Sequence, residues 1–383
     1  MTDARTTDAQ PIIETLLYGD TDLAQQLAGA MDVEGRSDRL THGFHTYPAR
    51  LHPDTARDLL GLFPGDSVLD PFCGGGTIAV EAVAAGRRFV GSDLSPIAVL
   101  VARARTSRIS PELTTKFRST ARKMVERARK SNSLPHPEKF RALEQWYAPC
   151  AMHELQGLWE GIEQAQEDIR PLLRAAFSSI VIKVSWRKSD TSSQRERHRR
   201  PPGTTAILFH KKVRELGRRI EALREVIPDQ TPPSHISLTD ARVCKSDTLV
   251  DLVLTSPPYP AVYDYVALQH LRMVWLELDK SGTHLEISSR AQWKDGEKDA
   301  RKKWRQDTAA WIQAAQSNVK PGGHVVVVIG DGLSPSGLID SGRVCEDAAL
   351  EAGLTLRARA SVERPDYARQ TTRWEHVFAF GKS

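Results

Sequence analysis

Apolar positions along the chain follow two different patterns. One is a series of short apolar runs that alternate with helical stretches; the other is helical periodicity alone. The first pattern gives a strand at residues 67–69, a helix at 78–85, a strand at 89–91 and a helix at 96–104. Such a βαβα unit predicts a parallel sheet covered by helices. The pattern resumes with a strand at 241–247 and another ending at Leu252-Val253-Leu254. Helices at 268–278, 304–317 and 344–352 follow, and the fully apolar run at 325–329 predicts a central strand over residues 324–330. Segments 354–362 and 374–380 alternate and predict a terminal antiparallel pair.

The second pattern fills residues 106–236, with helices expected at 112–130, 138–147, 153–169, 172–184 and 207–226. Upstream, residues 1–10 are polar and read as disordered, 11–31 as one or two amphipathic helices, and 54–62 as a helix ending before Pro64-Gly65. Residues 281–299 are polar and read as a mobile loop. The expected organisation is an extension over 1–40, a catalytic domain from 41–105 and 237–383, and a helical, basic insertion over 106–236.

Charge sharpens this division. Residues 106–230 carry 25 Lys and Arg against 15 Asp and Glu, a net +10, whereas the whole 383-residue chain is +5. The rest is therefore net −5, and the positive charge sits in the insertion. There, Arg187 and Lys188 and the run Arg195, Arg197, Arg199 and Arg200 flank a Ser/Thr-rich loop. A basic loop of this kind suits phosphate contact, and a solvated charged face is the other reading. The four cysteines are scattered, and His42, His45 and His52 match no metal-ligand spacing, so no metal is expected. No apolar run approaches the ~20 residues of a membrane span, and a cytoplasmic protein with no membrane contact is expected.

Chemistry concentrates at two strand ends. The run Val68-Leu69-Asp70-Pro71-Phe72-Cys73-Gly74-Gly75-Gly76-Thr77 is a strand end, an acid and a glycine turn opening a helix. Its glycines let a ligand approach the backbone, and their spacing does not fit a dinucleotide pyrophosphate site. Asp93 ends the next strand, 19 positions after Gly74, near the spacing of an acid that binds ribose hydroxyls; capping the following helix is its other reading. The second strand end is Leu252-Val253-Leu254-Thr255-Ser256-Pro257-Pro258-Tyr259, where two prolines turn the backbone out of the sheet. A hydroxyl and an aromatic face are left at the carboxyl end, where open α/β sheets bind ligands.

These two segments resemble the cofactor and catalytic motifs of the amino-DNA methyltransferases, over about residues 41–105 and 240–383. The resemblance implies a class I methyltransferase fold: α/β, Rossmann-like, a mostly parallel sheet with an antiparallel last strand, plus the helical insertion as a target-recognition region. It implies S-adenosyl-L-methionine as cofactor, held by His45, Tyr47, Pro48, Asp70, Pro71, Phe72, Cys73, Gly74, Gly76, Thr77, Asp93, Leu94, Asp247 and Ser256. Asp247 would contact the adenine ring, although an ordinary loop acid is an equal reading. Ser256, Pro257, Pro258 and Tyr259 would carry catalysis on a flipped base. Tyr263, close in sequence to that turn, reads as lining the base pocket, with core packing as an equal reading. The Ser-Pro-Pro-Tyr form is more typical of enzymes acting on the N4 amine of cytosine. The N6 amine of adenine, an RNA amine, or an inactive binding module are the alternatives. Double-stranded DNA is the expected partner, and a cognate restriction or defence nuclease is compatible with the reading.

Overall fold

The protein is described here by a computed structural model, which covers residues 14–33, 35, 37–47, 50–192, 194–279, 281–366 and 371–383. Strand β1 (Thr15–Gly19) leads to α1 (Thr21–Met31), α2 (Pro53–Leu62), β2 (Ser67–Asp70), α3 (Thr77–Ala84), β3 (Arg88–Asp93) and α4 (Pro96–Arg105). The insertion follows as α5 (Pro111–Ala128), α6 (Pro137–Leu143), α7 (Pro149–Glu163), α8 (Arg170–Val181) and α9 (Thr204–Val226). The chain re-enters the sheet with β4 (His235–Leu238) and β5 (Val250–Thr255), then forms α10 (Tyr265–Trp275), α11 (Arg290–Asp295) and α12 (Glu297–Asn318). It ends with β6 (Val319–Gly330), the small hairpin β7 (Gly332–Ser334) and β8 (Gly337–Ile339), α13 (Ser341–Glu351), β9 (Leu354–Asp366) and β10 (Thr371–Lys382).

Among the described residues the main sheet has the order β1-β9-β10-β6-β5-β2-β3-β4. The run β6-β5-β2-β3-β4 is parallel. Strand β10 lies antiparallel between β6 and β9, as the methyltransferase fold implies. Strand order reverses between β2 and β5: the chain builds outward from β2 to β4, then returns to β5 on the other side. That switch point opens a crevice beyond the strand ends.

Burial explains why the central strands read as continuous apolar runs. Val68, Leu252, Leu254, Val326 and Val328 face a layer formed by α1, α2 and α3. Their neighbours Leu69, Val253, Val325, Val327 and Ile329 face α12 and α13. Alternate residues of one strand thus enter two cores, and both must be apolar. The insertion builds a third core, in which Phe117, Trp159, Phe177 and Phe209 pack with Ile97 of α4 and Trp275 of α10.

Three expectations need correction. The segment at 11–31 is not helical throughout: β1 pairs antiparallel with β9 and is exposed along its length, so its apolar residues serve an edge rather than a helix face. The strand expected at 241–247 lies earlier, at β4, and residues 241–243 form a 3-10 turn. Residues 281–299 hold a 3-10 turn over Ser281–Leu285, then α11, whose Trp293 is buried against Trp304. No helix among the described residues is long and apolar enough to cross a membrane.

Candidate active site at the sheet switch point

The two motif strands meet. The Thr255 hydroxyl at the end of β5 donates to Asp70 Oδ1 at the end of β2, at 2.6 Å, and the same oxygen accepts the Phe72 N–H at 3.0 Å. This tie joins residues 185 positions apart and sets both turns at the mouth of one cavity of about 440 Å³.

On the glycine side, Asp70, Pro71, Phe72, Cys73, Gly74 and Thr77 line that cavity. Gly74 adopts a positive φ of 48°, and its N–H donates to Asp93 Oδ2 at 2.8 Å. Asp93 Oδ1 accepts the Ser95 N–H at 2.8 Å, and Ser95, with Pro96 behind it, caps α4. Asp93 is thus not the cap; together with Leu94 it faces the cavity. Tyr47 covers the glycine turn, its ring within ordinary contact of a side chain placed at Gly74. Pro48 lies outside the described residues. Gly75, which belongs to the same turn but was not among the expected cofactor residues, also lines the cavity.

On the other side, Ser256, Pro257, Pro258, Tyr259 and Tyr263 line the same space. The Tyr259 hydroxyl donates to Glu375 Oε1 at 2.7 Å, at the wall of the cavity. Tyr263 packs edge-on against Tyr265, their rings 5.6 Å apart.

Several expected residues lie elsewhere. His45 is buried with Nε2 3.0 Å from the Ser178 hydroxyl of α8, so it joins the entry segment to the insertion and does not line the cavity. Gly76 opens α3 at φ 80°, where a side chain would meet the Ala102 backbone at 2.9 Å; it serves helix packing. Asp247 is exposed one residue before Thr248, which Arg88 binds at the start of β3, the opposite end of the sheet. The strand shift explains the error: Asp240 and Ala241 follow β4 and line the cavity instead. Arg187 is buried, donating to the Ser192 and Leu268 carbonyls at 2.5 and 2.6 Å. Arg200 donates to the Lys183 carbonyl at 2.6 Å. Both are spent on backbone, because a polar loop packed on helices leaves carbonyls that need donors. Lys188, Arg195, Arg197 and Arg199 remain exposed.

Other residues of the site had no motif to announce them. Arg105 is fully buried and donates to the carbonyls of Gly75, His42 and His45 at 2.7, 2.9 and 2.6 Å, clamping the entry segment onto the glycine turn. Glu286 lines the cavity and accepts the Tyr265 N–H at 2.6 Å at the start of α10. Arg364, Arg373 and Glu375 reach the cavity from β9 and β10. Burial pushes the carboxyls of Asp70 and Glu286 up to about 7 and that of Asp93 to about 6. Burial also pushes the Cys73 thiol well above its ordinary value, which disfavours the thiolate. Three carboxyls around one cavity, each held back from ionising, suit a ligand that brings positive charge.

Residues 37–103 match a family model described as DNA methylase. The chain is 28% identical over 272 residues to the Type II methyltransferase M.MvaI of Kocuria varians; the match spans 62% of this chain and 58% of that protein. A 51-residue stretch is 47% identical to the tRNA (guanine(10)-N2)-dimethyltransferase of Methanothermobacter thermautotrophicus, covering 12% of this chain and 15% of that one. Among solved structures, TrmN from Thermus thermophilus aligns with a TM-score of 0.35 at 15% identity, over 87% of this chain and 49% of that one. The rRNA methyltransferase aviRa from Streptomyces viridochromogenes aligns with a TM-score of 0.36 at 13% identity, over 90% and 94%.

Proposed function

We propose that this chain, which is similar to amino-DNA methyltransferases in the matches above, transfers a methyl group from S-adenosyl-L-methionine to the N4 amine of cytosine in a specific duplex DNA sequence. The observation that carries the reading is the convergence of the glycine turn and the Ser-Pro-Pro-Tyr turn on one cavity, joined by the Thr255–Asp70 hydrogen bond. The residues fit this cofactor. Asp93 offers a carboxylate to ribose hydroxyls, the glycine turn borders the cavity beneath Tyr47, and the acids of the wall suit a sulfonium and an ammonium group. When bound, the cofactor supplies an electrophilic methyl group.

The chain's own residues supply placement. A cytosine amine is shielded inside a duplex, so the base leaves the stack to reach the cavity. Tyr259 presents a ring against which the base lies. Ser256 and the backbone carbonyls of the proline turn accept from the amine and aim its lone pair. Holding the reactants in line is the main source of acceleration. The choice of cytosine rests on Ser256 standing first in the motif, and a cognate nuclease partner belongs to the same reading.

Incubation of duplex DNA with the chain and cofactor, followed by nucleoside mass spectrometry, should detect N4-methylcytosine. Ser256→Ala should keep cofactor binding and lose about a hundredfold in turnover. N6-methyladenine as the only product would move the assignment to adenine. Absence of any methylated base with cofactor bound would leave an RNA substrate or a binding module.

A further inference from the structure

A tyrosine that serves only as a stacking face has no use for its hydroxyl, since phenylalanine stacks as well. The Tyr259 hydroxyl is nevertheless held by a carboxylate at the cavity wall, Glu375 Oε1, at 2.7 Å. The other oxygen of that carboxylate accepts Arg364 Nε at 3.1 Å, and Arg364 also donates to the Met31 carbonyl. Glu375 is therefore held at both oxygens. Its backbone pairs directly with Gly330, the last residue of β6. Gly330 is the floor beneath the ring: a side chain there would come within 2.5 Å of Tyr259 Cε2 and 2.7 Å of Cδ2. The ring is thus pinned at its hydroxyl and against Gly330, and it borders the cavity.

We propose that Glu375 is a positioning residue for methyl transfer: it fixes the plane of Tyr259 and holds negative charge behind the ring against which the target base lies. This rests on the methyltransferase reading above. As the amine nitrogen forms its bond to the methyl carbon, the bond from that carbon to sulfur breaks and its electron pair stays on sulfur. The nitrogen becomes positive until it releases a proton to solvent. A cation on an aromatic face is stabilised by the ring's electron density, and a phenol that donates to a carboxylate has more of it. Glu375 so acts through Tyr259, in the step where charge develops. Neutral bases in the ground state feel this less, so the effect belongs in kcat more than in KM.

The test uses the full-length protein and an unmethylated duplex containing the sequence that the product assay identifies as its target. Glu375→Ala and Tyr259→Phe each cut the same link, and each should lower kcat by about tenfold. Because the link is single, Tyr259→Phe with Glu375→Ala should be no slower than either alone. Glu375→Gln keeps an acceptor for the hydroxyl but removes the charge, and should recover part of the loss. Cofactor affinity by calorimetry should stay within about twofold throughout, and thermal melts identify any variant that fails to fold; for that case Glu375→Gln carries the comparison. Wild-type kcat in Glu375→Ala and Tyr259→Phe, or additive losses in the double variant, would overturn the inference alone. A wild-type chain that methylates no DNA would remove the methyltransferase reading and the inference together.

Discussion

Asp93 has both oxygens on backbone N–H groups, at Gly74 and Ser95, and still borders the cavity. Each carboxylate oxygen has a second lone pair, so the acid is aimed by the protein and can still accept from a ligand. Hydrogen bonds to a charged group contribute about 1.5–3 kcal/mol each. Asp93→Ala should weaken S-adenosyl-L-methionine binding at least tenfold, as read by calorimetry. The raised carboxyls add a pH dependence with a definite sign. Burial lifts Asp93 to about 6 and Asp70 and Glu286 to about 7, so through that window the folded, ligand-free chain holds protons that the unfolded chain has released. Their contribution to stability is present at low pH and declines as pH rises toward about 7. A cationic ligand favours the ionised carboxyls and so displaces protons. Cofactor affinity should rise between about pH 5.5 and about 7.5, and calorimetry in buffers of different ionisation heat should detect proton release on binding. Affinity flat across that range would mean that the acids do not face the ligand's charge.

The basic loop between α8 and α9 is built more firmly than its composition implies. Lys188 N–H donates to the Gln194 carbonyl at 3.0 Å and Glu196 N–H to the Trp186 carbonyl at 2.7 Å, closing a narrow hairpin. Arg197 lies 5.0 Å from the Trp186 ring and Arg195 5.5 Å from Trp146, which orients both guanidinium groups before any partner arrives. Neutralising Lys188, Arg195, Arg197 and Arg199 together should weaken DNA binding across sequences and reduce the log–log salt slope by roughly 0.9 for each phosphate that is no longer neutralised. Arg187 and Arg200 do not belong in that set, since Arg187 is buried and Arg200 half-buried, each close on a carbonyl, whereas Arg195 is exposed and makes only long contacts to Gln145, at 3.3 and 3.4 Å. A slope identical to wild type would return the loop to plain surface. The elements most legible in the sequence were those whose two faces are both buried: β2, β3, β5 and β6 stand out as apolar runs bounded by Gly and Pro. Strand β4 carries only one buried residue and left no apolar run; β1 carries none, and its Leu16 and Leu17 read as part of a helix face instead. The lost β4 register put the expected acid at Asp247, whereas the acid that follows β4 and lines the cavity is Asp240. The two motifs were legible because turns at strand ends need Gly and Pro, whereas Glu286, Arg364, Arg373 and Glu375 reach the cavity only through the tertiary fold, and no local residue pattern could place them there.

At the scale of the whole molecule, two kinds of folding problem share one chain. The insertion packs Phe117, Trp159, Phe177 and Phe209 in a core made largely by neighbouring helices. The catalytic sheet, in contrast, joins Asp70 to Thr255 across 185 positions, with the whole insertion looped out between them. Closing so long a loop carries an entropic cost that only non-local pairing repays, and such pairing forms late. On a ribosome, residues 111–226 emerge before β5 exists, so the glycine turn waits without its partner strand while α5 to α9 can begin to pack, Trp275 of α10 joining their core only after β5. Pulse-labelled hydrogen exchange during refolding should therefore protect amides of α5 to α9 ahead of those in β2 and β5; simultaneous protection would show one cooperative nucleus instead. On that order the hydrogen bond that assembles the cavity forms late in the life of the chain, and a chain stalled before β5 holds a glycine turn without the strand that completes its site.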